Sequence, residues 1–192
     1  MKTLRPLLLA LVAVFALAAT TRAANETYQI DPAHSSVGFT IRHFLTKIPG
    51  NFAQFEGAIV VDRAHLENSQ VEAVITVTSV NTSVPKRDAH LQSADFFLAA
   101  QFPKIVFKSK SWKATGENTF AVTGDLTIKD TTKEVVLQVT LLGFVPGMGG
   151  KTISGWEATT KLDRRDFGIT YGQGIVGNEV DVTINIEAGL QP

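Results

Sequence analysis

The sequence predicts an all-β protein in which eight antiparallel strands close into a barrel, with a short helical insertion between strands 3 and 4. Apolar side chains recur at every second position in eight segments after residue 36, a pattern typical of strands that bury one face. Most of these segments are joined by connections too short for a parallel crossover, so neighbouring strands should run antiparallel. The composition, 44% apolar and 19% charged, excludes disordered and collagen-like chains.

The first part of the chain is expected to be a targeting signal rather than part of the fold. Lys2 and Arg5 precede an uninterrupted apolar run at 7–19, and Thr21-Arg22-Ala23 supplies the small residues of a cleavage site. This is the pattern of a secretory signal peptide, and the run is shorter than the roughly 20 residues of a membrane-spanning helix. We predict a signal peptide at 1–23 and one exported domain at 24–192. An uncleaved helix at the membrane interface is the alternative.

Eight segments carry the alternating pattern, and the last of them is the most regular. Turn-forming residues separate several segments, at 114–118, 129–132 and 146–150. In chain order, the apolar positions are Val37, Phe39 and Ile41; the run 52–61; Val71, Ala73, Ile75 and Val77; Ile105 and Phe107; Phe120, Val122, Leu126 and Ile128; Val135, Leu137, Val139 and Leu141; Trp156, Ala158 and Leu162; and Val180, Val182, Ile184 and Ile186.

A helix or helix pair is predicted within 85–98, because the apolar residues of this segment fall on roughly one helical face. The segment follows the third strand and precedes the fourth. Eight amphipathic strands either close into a barrel or divide into two packed sheets. We favour the barrel, because an immunoglobulin-type sandwich usually takes about 100 residues and does not account for the inserted helix.

Charge, cysteine content and residue spacing exclude several classes of function. The formal net charge is zero, which argues against nucleic-acid binding. The absence of cysteine excludes disulfides, thiolate metal sites and cysteine nucleophiles. Neither a Gly-x-Ser-x-Gly elbow nor a His-x-x-x-His pair occurs. We therefore predict a protein that is not an enzyme, with no catalytic residue, no metal site and no cofactor.

Several motifs follow one another along nearly the whole mature chain, from Tyr28 to about Glu187. The longest is Arg87-Asp88-Ala89-His90-Leu91-Gln92-Ser93-Ala94-Asp95-Phe96-Phe97. The others are Tyr28-Gln29-Ile30-Asp31-Pro32-Ala33-His34-Ser35, Phe52-x-x-Phe55-x-Gly57, Ser79-Val80-Asn81-Thr82, Phe102-Pro103-Lys104-Ile105, Gly124-Asp125-Leu126-Thr127-Ile128 and Asp163-Arg164-x-Asp166-Phe167-Gly168. In these residues the sequence resembles the YceI-like family of polyisoprenoid-binding proteins.

The resemblance implies a lipocalin-like, extended antiparallel barrel that holds a long-chain isoprenoid lipid, either a polyprenyl lipid or an isoprenoid quinone, in its cavity. It also implies a periplasmic location and, as in many family members, a homodimer. Such a protein would store or ferry the lipid, or present it to a membrane oxidoreductase. Apart from this lipid, no bound cofactor is expected.

The expected binding site combines inward-facing apolar residues with a polar group on the inserted helix. Alternation alone does not tell whether the inward side chains leave a cavity, so a filled barrel that acts through its surface, as a stress-related periplasmic interaction protein, is the alternative. The predicted ligand-binding residues are Phe39, Ile41, Phe52, Phe55, Ile59, Ile75, Val77, Arg87, His90, Phe97, Ile105, Phe107, Leu126, Leu137, Trp156 and Ala158.

The charged residues near the helix and near the last turn allow two interpretations each. Arg87 or His90 would meet the lipid head group, with the helix acting as a lid. In the alternative, Asp88 caps the helix and an Arg87–Asp95 pair holds it to the rim. For 164–166, we favour an electrostatic latch over a contact with the head group.

Overall fold

A computed structural model describes residues 25–192, so the predicted signal peptide at 1–23 lies outside the described residues. The strands are β1 (Glu26–Ile30), β2 (Ser36–His43), β3 (Thr46–Phe52), β4 (Phe55–Val61), β5 (Gln70–Thr76), β6 (Val80–Asn81), β7 (Lys104–Gly116), β8 (Thr119–Ile128), β9 (Thr131–Pro146), β10 (Thr152–Asp163) and β11 (Val176–Leu190). The α-helix, α1, spans Pro85–Leu91. Short 3-10 helices occupy Pro32–His34, Leu66–Asn68, Val77–Ser79, Met148–Gly150 and Arg164–Phe167.

Eight strands close into an antiparallel barrel. Their order around the barrel is β1, β4, β5, β7, β8, β9, β10 and β11, and the last residues of β11 pair with β1 to complete the ring. The first part of β11 pairs instead with β2, which carries β3 and the two-residue β6 as an extension of the sheet. The predicted all-β, eight-stranded antiparallel barrel is thereby confirmed.

The predicted position of the helix, between strands 3 and 4, is wrong. The helix α1 follows β6 and precedes β7. Too few strands were predicted before the helix, because the N-terminal part of the chain is divided into short strands that alternation does not reveal. One break lies at Ala53–Gln54, where the Ala53 N–H donates to the carbonyl of Ser79 at 3.1 Å and the Gln54 N–H donates to the Ser79 hydroxyl at 3.0 Å.

The strand β3 has no counterpart among the predicted strands. It contains Pro49 and Gly50, which disfavour strands in isolation. Proline is tolerated here because β3 pairs with β2 along its length, but with β6 only at Asn51 and Phe52. Pairing with β2 thus determines this strand more than its own composition does.

The two ends of the barrel differ in how they are covered. The end that carries the β9–β10 loop, which we call the closed end, is filled by packed side chains that are at most 7% exposed: Tyr28, Val61, Phe120, Val122, Leu141 and Ala188. The opposite end, which we call the mouth, is formed by the β2–β3 hairpin, α1 and the segment 164–176. Within residues 25–192, no helix has both the length and the apolar character needed to cross a bilayer.

Candidate ligand-binding cavity

A cavity of about 600 Å³ occupies the interior of the barrel. Its wall is built from the inward-facing side chains of the strands, for example Phe107, Leu126 and Leu137 on β7, β8 and β9. Phe107 pairs directly with Leu126, and Leu137 pairs with Val122 four residues further along β8, so alternation on each strand places all of these side chains on the same face of the sheet. The barrel is therefore hollow rather than filled.

The structure brings nearly all the predicted site residues together on this wall. Those that line the cavity are Phe39, Ile41, Phe52, Phe55, Ile59, Ile75, Arg87, His90, Phe97, Ile105, Phe107, Leu126, Leu137, Trp156 and Ala158.

Val77 is the predicted site residue that the structure does not place on the wall. Alternation along β5 predicts that Val77 faces inward with Ile75, but β5 ends at Thr76 and Val77 begins a 3-10 helix. Its backbone N–H donates to the carbonyl of Pro103 at 2.9 Å, and its side chain is buried in the core beside the cavity. The change from strand to 3-10 helix rotates this side chain away from the inward-facing row.

Two groups stand out among the wall residues that were not predicted from the sequence. The first comes from β11, whose apolar positions alternate regularly in the sequence but were not assigned to the site: Val180, Val182, Ile184 and Ile186. The second lies in irregular segments at the mouth, where no periodic signal exists: Phe96, Phe167, Ile169, Tyr171 and Ile175.

Polar groups on the cavity wall concentrate at the mouth, around α1 and the segment 164–176. Arg87 is held there by Thr82: its Nε donates to Thr82 Oγ1 and its guanidinium Nη2 donates to the Thr82 carbonyl, both at 2.7 Å. Asp88 accepts hydrogen bonds from the Thr82 backbone N–H at 2.8 Å and from its hydroxyl. The start of α1 is therefore tied to the residue that follows β6.

These bonds correct the predicted contacts of the helix. Asp88 does not cap α1, because the N-cap position is Val84 and Asp88 lies inside the helix. The predicted Arg87–Asp95 pair is also wrong, because Asp95 pairs with His90, whose Nε2 lies 2.7 Å from the carboxylate oxygen. Arg87 instead uses its donors on Thr82.

His90 connects α1 to the segment on the other side of the mouth. Its ring lies edge-on to Phe96 and to Tyr171, with 5.1 Å between ring centres in both cases. Phe96 and Tyr171 contact each other as well, at 5.4 Å. These three rings form one side of the mouth, and the mouth would widen if they moved apart.

Arg164 fastens the segment that follows β10. Its side chain is 5% exposed, and burial lowers the pKa of its guanidinium from the ordinary value. It donates to four backbone carbonyls, those of Ile169, Tyr171, Val176 and Gly177, at 2.7 to 3.0 Å. This arrangement agrees with a latch, although the bonds go to the backbone and not to an acidic residue.

The exposed neighbour Arg165 pairs with Asp163, and the two side chains share several short hydrogen bonds. These bonds, together with the Arg165 backbone N–H, lower the pKa of Asp163 to about 2. Asp163 thus stays ionised beside the mouth over the whole physiological range.

A possible metal-binding geometry occurs away from the cavity. Ligand atoms of Asp31, His34 and Glu187 lie within 4.8 Å of one another. Two bonds of Asp31 explain its position without an ion, since it accepts from the Ala33 N–H at 2.9 Å and lies 2.7 Å from His34 Nδ1. Its hydrogen bond to His34 lowers the pKa of Asp31 below the usual value.

Comparisons with known proteins agree with the fold and the motifs. The YceI-like domain family matches residues 28–188. A UPF0312 protein of Azotobacter vinelandii is 35% identical over 191 residues, which cover 98% of this chain and 100% of the relative. The crystal structure of a Campylobacter jejuni YCEI protein superposes with a TM-score of 0.71 at 32% identity, over 84% of this chain and 96% of the other. A polyisoprenoid binding domain from Saccharophagus degradans has a TM-score of 0.68 at 14% identity, over 85% of this chain and 98% of the other, which shows a shared fold.

The match of one family to residues 28–188, the 35% identity to a relative covered over its full length and the shared barrel together identify the family: the chain belongs to the YceI-like family.

Proposed function

We propose that this protein is a periplasmic binding protein, and not an enzyme, that holds a long-chain isoprenoid lipid in its barrel. The lipid tail, from a polyprenyl lipid or an isoprenoid quinone, fills the cavity, and its head group lies at the mouth. One observation carries the proposal: a cavity of about 600 Å³ is walled by apolar side chains and has its polar groups at one end. The Saccharophagus degradans domain of the same fold is described as polyisoprenoid binding, which agrees with it.

The energetics of burial favour such a ligand. Removing apolar surface from water contributes about 25 cal/mol per Å², so several isoprene units in the cavity contribute several kcal/mol. A prenyl chain carries no polar group along its length, and the strand-built part of the wall offers it mainly Phe, Ile, Leu and Val. Sites for small molecules commonly combine an apolar interior with a few polar groups that fix orientation.

The polar mouth suits the head group. Arg87 and His90 lie on α1 at the cavity wall, and the His90 side chain is 43% exposed. A hydroxyl, carbonyl or phosphate oxygen of the head group would accept a hydrogen bond from Arg87 Nη1, which Thr82 does not engage, and a head-group hydroxyl would bond to His90 Nδ1, which does not face Asp95. In this position the head group also remains accessible to a second protein, such as a membrane oxidoreductase.

The proposed role is storage or transport of the lipid across the periplasm, in agreement with the signal peptide predicted at 1–23. A homodimer remains our expectation from the family resemblance. The alternative of a surface-acting, stress-related protein with a filled barrel is disfavoured, because the barrel has a cavity.

The proposal is tested by extracting the protein, purified from its native host, with organic solvent and analysing the extract by mass spectrometry. A stoichiometric polyprenyl or quinone species is expected. Ala158→Trp would obstruct the cavity, because Ala158 faces inward between Val139 and Ile184, whereas Thr159→Trp places the same side chain outside. We expect lipid with Thr159→Trp and none with Ala158→Trp, with far-UV circular dichroism unchanged in both. Recovery of wild-type protein without any bound lipid would refute the proposal.

A further inference from the structure

The tip of the β2–β3 hairpin is unusually apolar for a water-exposed turn. Its two turn residues, Phe44 and Leu45, are 61% and 89% exposed. Phe44 has a φ of 49°, in the left-handed region that favours glycine or asparagine. A two-residue hairpin turn with positive φ only at its first residue usually carries glycine there. Neither side chain is buried in the core, and strained positions of this kind often have a function.

The apolar tip continues into the rim of the cavity. The Phe44 backbone N–H donates to the carbonyl of Ile175 at 2.8 Å, which fixes the tip to the segment 164–176. On that segment, Tyr171 and Ile175 are both nearly half exposed, and both also line the cavity. One surface, composed of Phe44, Leu45, Tyr171 and Ile175, thus joins the outside of the protein to the mouth. We call it the rim patch.

Cationic groups flank the hairpin tip. Arg42 is exposed, and its guanidinium donates to the Leu45 carbonyl at 3.0 Å, which keeps the charge beside the tip. Lys47 lies on the other strand, where it pairs with Asp181 at 3.1 Å. Exposed apolar and aromatic side chains next to a cation are characteristic of protein segments that insert into the interface of a bilayer.

We propose that the rim patch docks onto a phospholipid bilayer, with Phe44 and Leu45 inserted among the acyl chains and Arg42 at the level of the phosphates. The inference rests on the proposed function, because an isoprenoid lipid resides in membranes and would enter or leave the barrel through the mouth. Docking by the rim patch places the mouth against the bilayer, so the lipid tail passes from membrane to cavity without crossing water.

The test measures sedimentation of the purified, full-length mature protein with vesicles of phosphatidylethanolamine and phosphatidylglycerol. The double variant Phe44→Gly/Leu45→Asn places glycine at the left-handed position and a polar residue after it, as this turn type prefers, so it removes the apolar tip without destabilising the hairpin. The control Leu142→Asn/Met148→Asn removes two equally exposed apolar side chains from the closed end. We expect the tip variant to bind vesicles at least about tenfold more weakly than wild type, from the loss of two buried apolar side chains, and the control to bind like wild type.

The inference is overturned if wild type does not sediment with vesicles, or if the tip variant binds as well as wild type, or if the control loses as much. A wild-type dimer that the tip variant disperses, without any binding to vesicles, would assign the rim patch to self-association instead. Lipid extraction from the same samples separates the two proposals. Vesicle binding without a bound isoprenoid contradicts the proposed function alone, and a bound isoprenoid without vesicle binding contradicts the docking alone.

Discussion

The closed end and the mouth of the barrel are stabilised by different interactions. At the closed end, aromatic rings pack against each other, with Trp112 5.7 Å from both Phe120 and Trp156. At the mouth, hydrogen bonds replace this packing. Arg164 donates to four backbone carbonyls, and Thr82 is hydrogen-bonded to both Arg87 and Asp88. Dense packing keeps one end shut, whereas polar bonds between separate segments can open locally without disturbing the barrel.

A second layer seals the closed end from outside. The Arg63 guanidinium lies 4.0 Å from the centre of the Phe144 ring, and its Nε lies 3.4 Å from a carboxylate oxygen of Glu26. The same carboxylate accepts a hydrogen bond from the buried Tyr28 hydroxyl at 2.5 Å. At the mouth, the cavity-lining residues Tyr171 and Ile175 are nearly half exposed, whereas Trp112 and Trp156, which line the cavity at the closed end, are at most 6% exposed. From this contrast we propose that the lipid of the proposed function enters and leaves through the mouth.

The largest effect is expected from truncating a ring at the closed end. Phe120→Ala should lower the free energy of unfolding by about 3 to 5 kcal/mol, because Phe120 is 4% exposed and its removal leaves a cavity. Phe44→Ala, the same change at the mouth, should cost less than about 0.5 kcal/mol. Urea unfolding of the lipid-free protein measures both. Equal costs would contradict the difference between the two ends.

The second-largest effect on stability is expected from removing the hydrogen bonds of Arg164. Arg164→Met keeps the side chain's bulk but leaves four backbone carbonyls without their donor, so we expect a loss of about 3 kcal/mol in unfolding free energy. Amide hydrogen exchange should quicken first in 168–177. Arg165→Met, which removes an exposed ion pair with Asp163, should have a much smaller effect on stability than Arg164→Met. If exchange in 168–177 is unchanged in Arg164→Met, these bonds do not hold the mouth.

A pH titration examines the seal at the closed end. Burial, followed by the hydrogen bond to Glu26, raises the pKa of Tyr28 from 10.0 to about 12. Because the folded state favours the protonated phenol, this contribution to stability is complete below pH 10 and is lost as the pH rises to 12. The loss is about 2 to 3 kcal/mol. Unfolding measured from pH 9 to 12 should show this decrease in wild type and a smaller one in Tyr28→Phe. The same slope in both proteins would exclude Tyr28 as its source.

The smallest effect is expected from the Asp163–Arg165 ion pair at the mouth. Because Arg165 lowers the pKa of Asp163 to about 2, the ionised carboxylate stabilises the fold above its ordinary pKa of 3.8. That contribution disappears as the pH falls toward 2. Asp163→Asn should therefore flatten the decline of stability between pH 4 and 2, as followed by thermal unfolding. An unchanged acid branch would mean that the pair is broken in solution.

Alternation predicted the wall of the cavity well where strands are long and continuous. In β7 to β10, Phe107, Leu126, Leu137 and Ala158 all face inward as expected, because a barrel strand exposes its two faces to different environments. The prediction for Val77 was wrong because a 3-10 helix interrupts the two-residue period of the strand. Alternation could not predict the cavity itself, because it reveals which face of a strand is buried but not whether side chains from opposite strands meet in the middle of the barrel.

The mouth was the least predictable region. Its contacts join positions far apart in the chain, such as His90 with Tyr171 and Arg164 with the carbonyl of Gly177. Local sequence carries no periodic signal for such contacts. The charged residues of 87–95 were recognised as a group, yet their pairing was wrong, because Thr82 and not Asp95 is the partner of Arg87. Composition located this polar cluster, and only the fold determined its bonds.

The orientation of the lipid can be measured by tryptophan fluorescence. The chain has two tryptophans, Trp112 and Trp156, and both line the cavity beside the packed closed end. Lipid-free protein is titrated with a polyprenyl lipid that carries a nitroxide either at the end of its tail or at its head group. Saturable quenching by the tail-labelled lipid, with much weaker quenching by the head-labelled lipid, is expected. Quenching by neither lipid, or stronger quenching by the head-labelled one, would contradict a hollow barrel that takes the tail first.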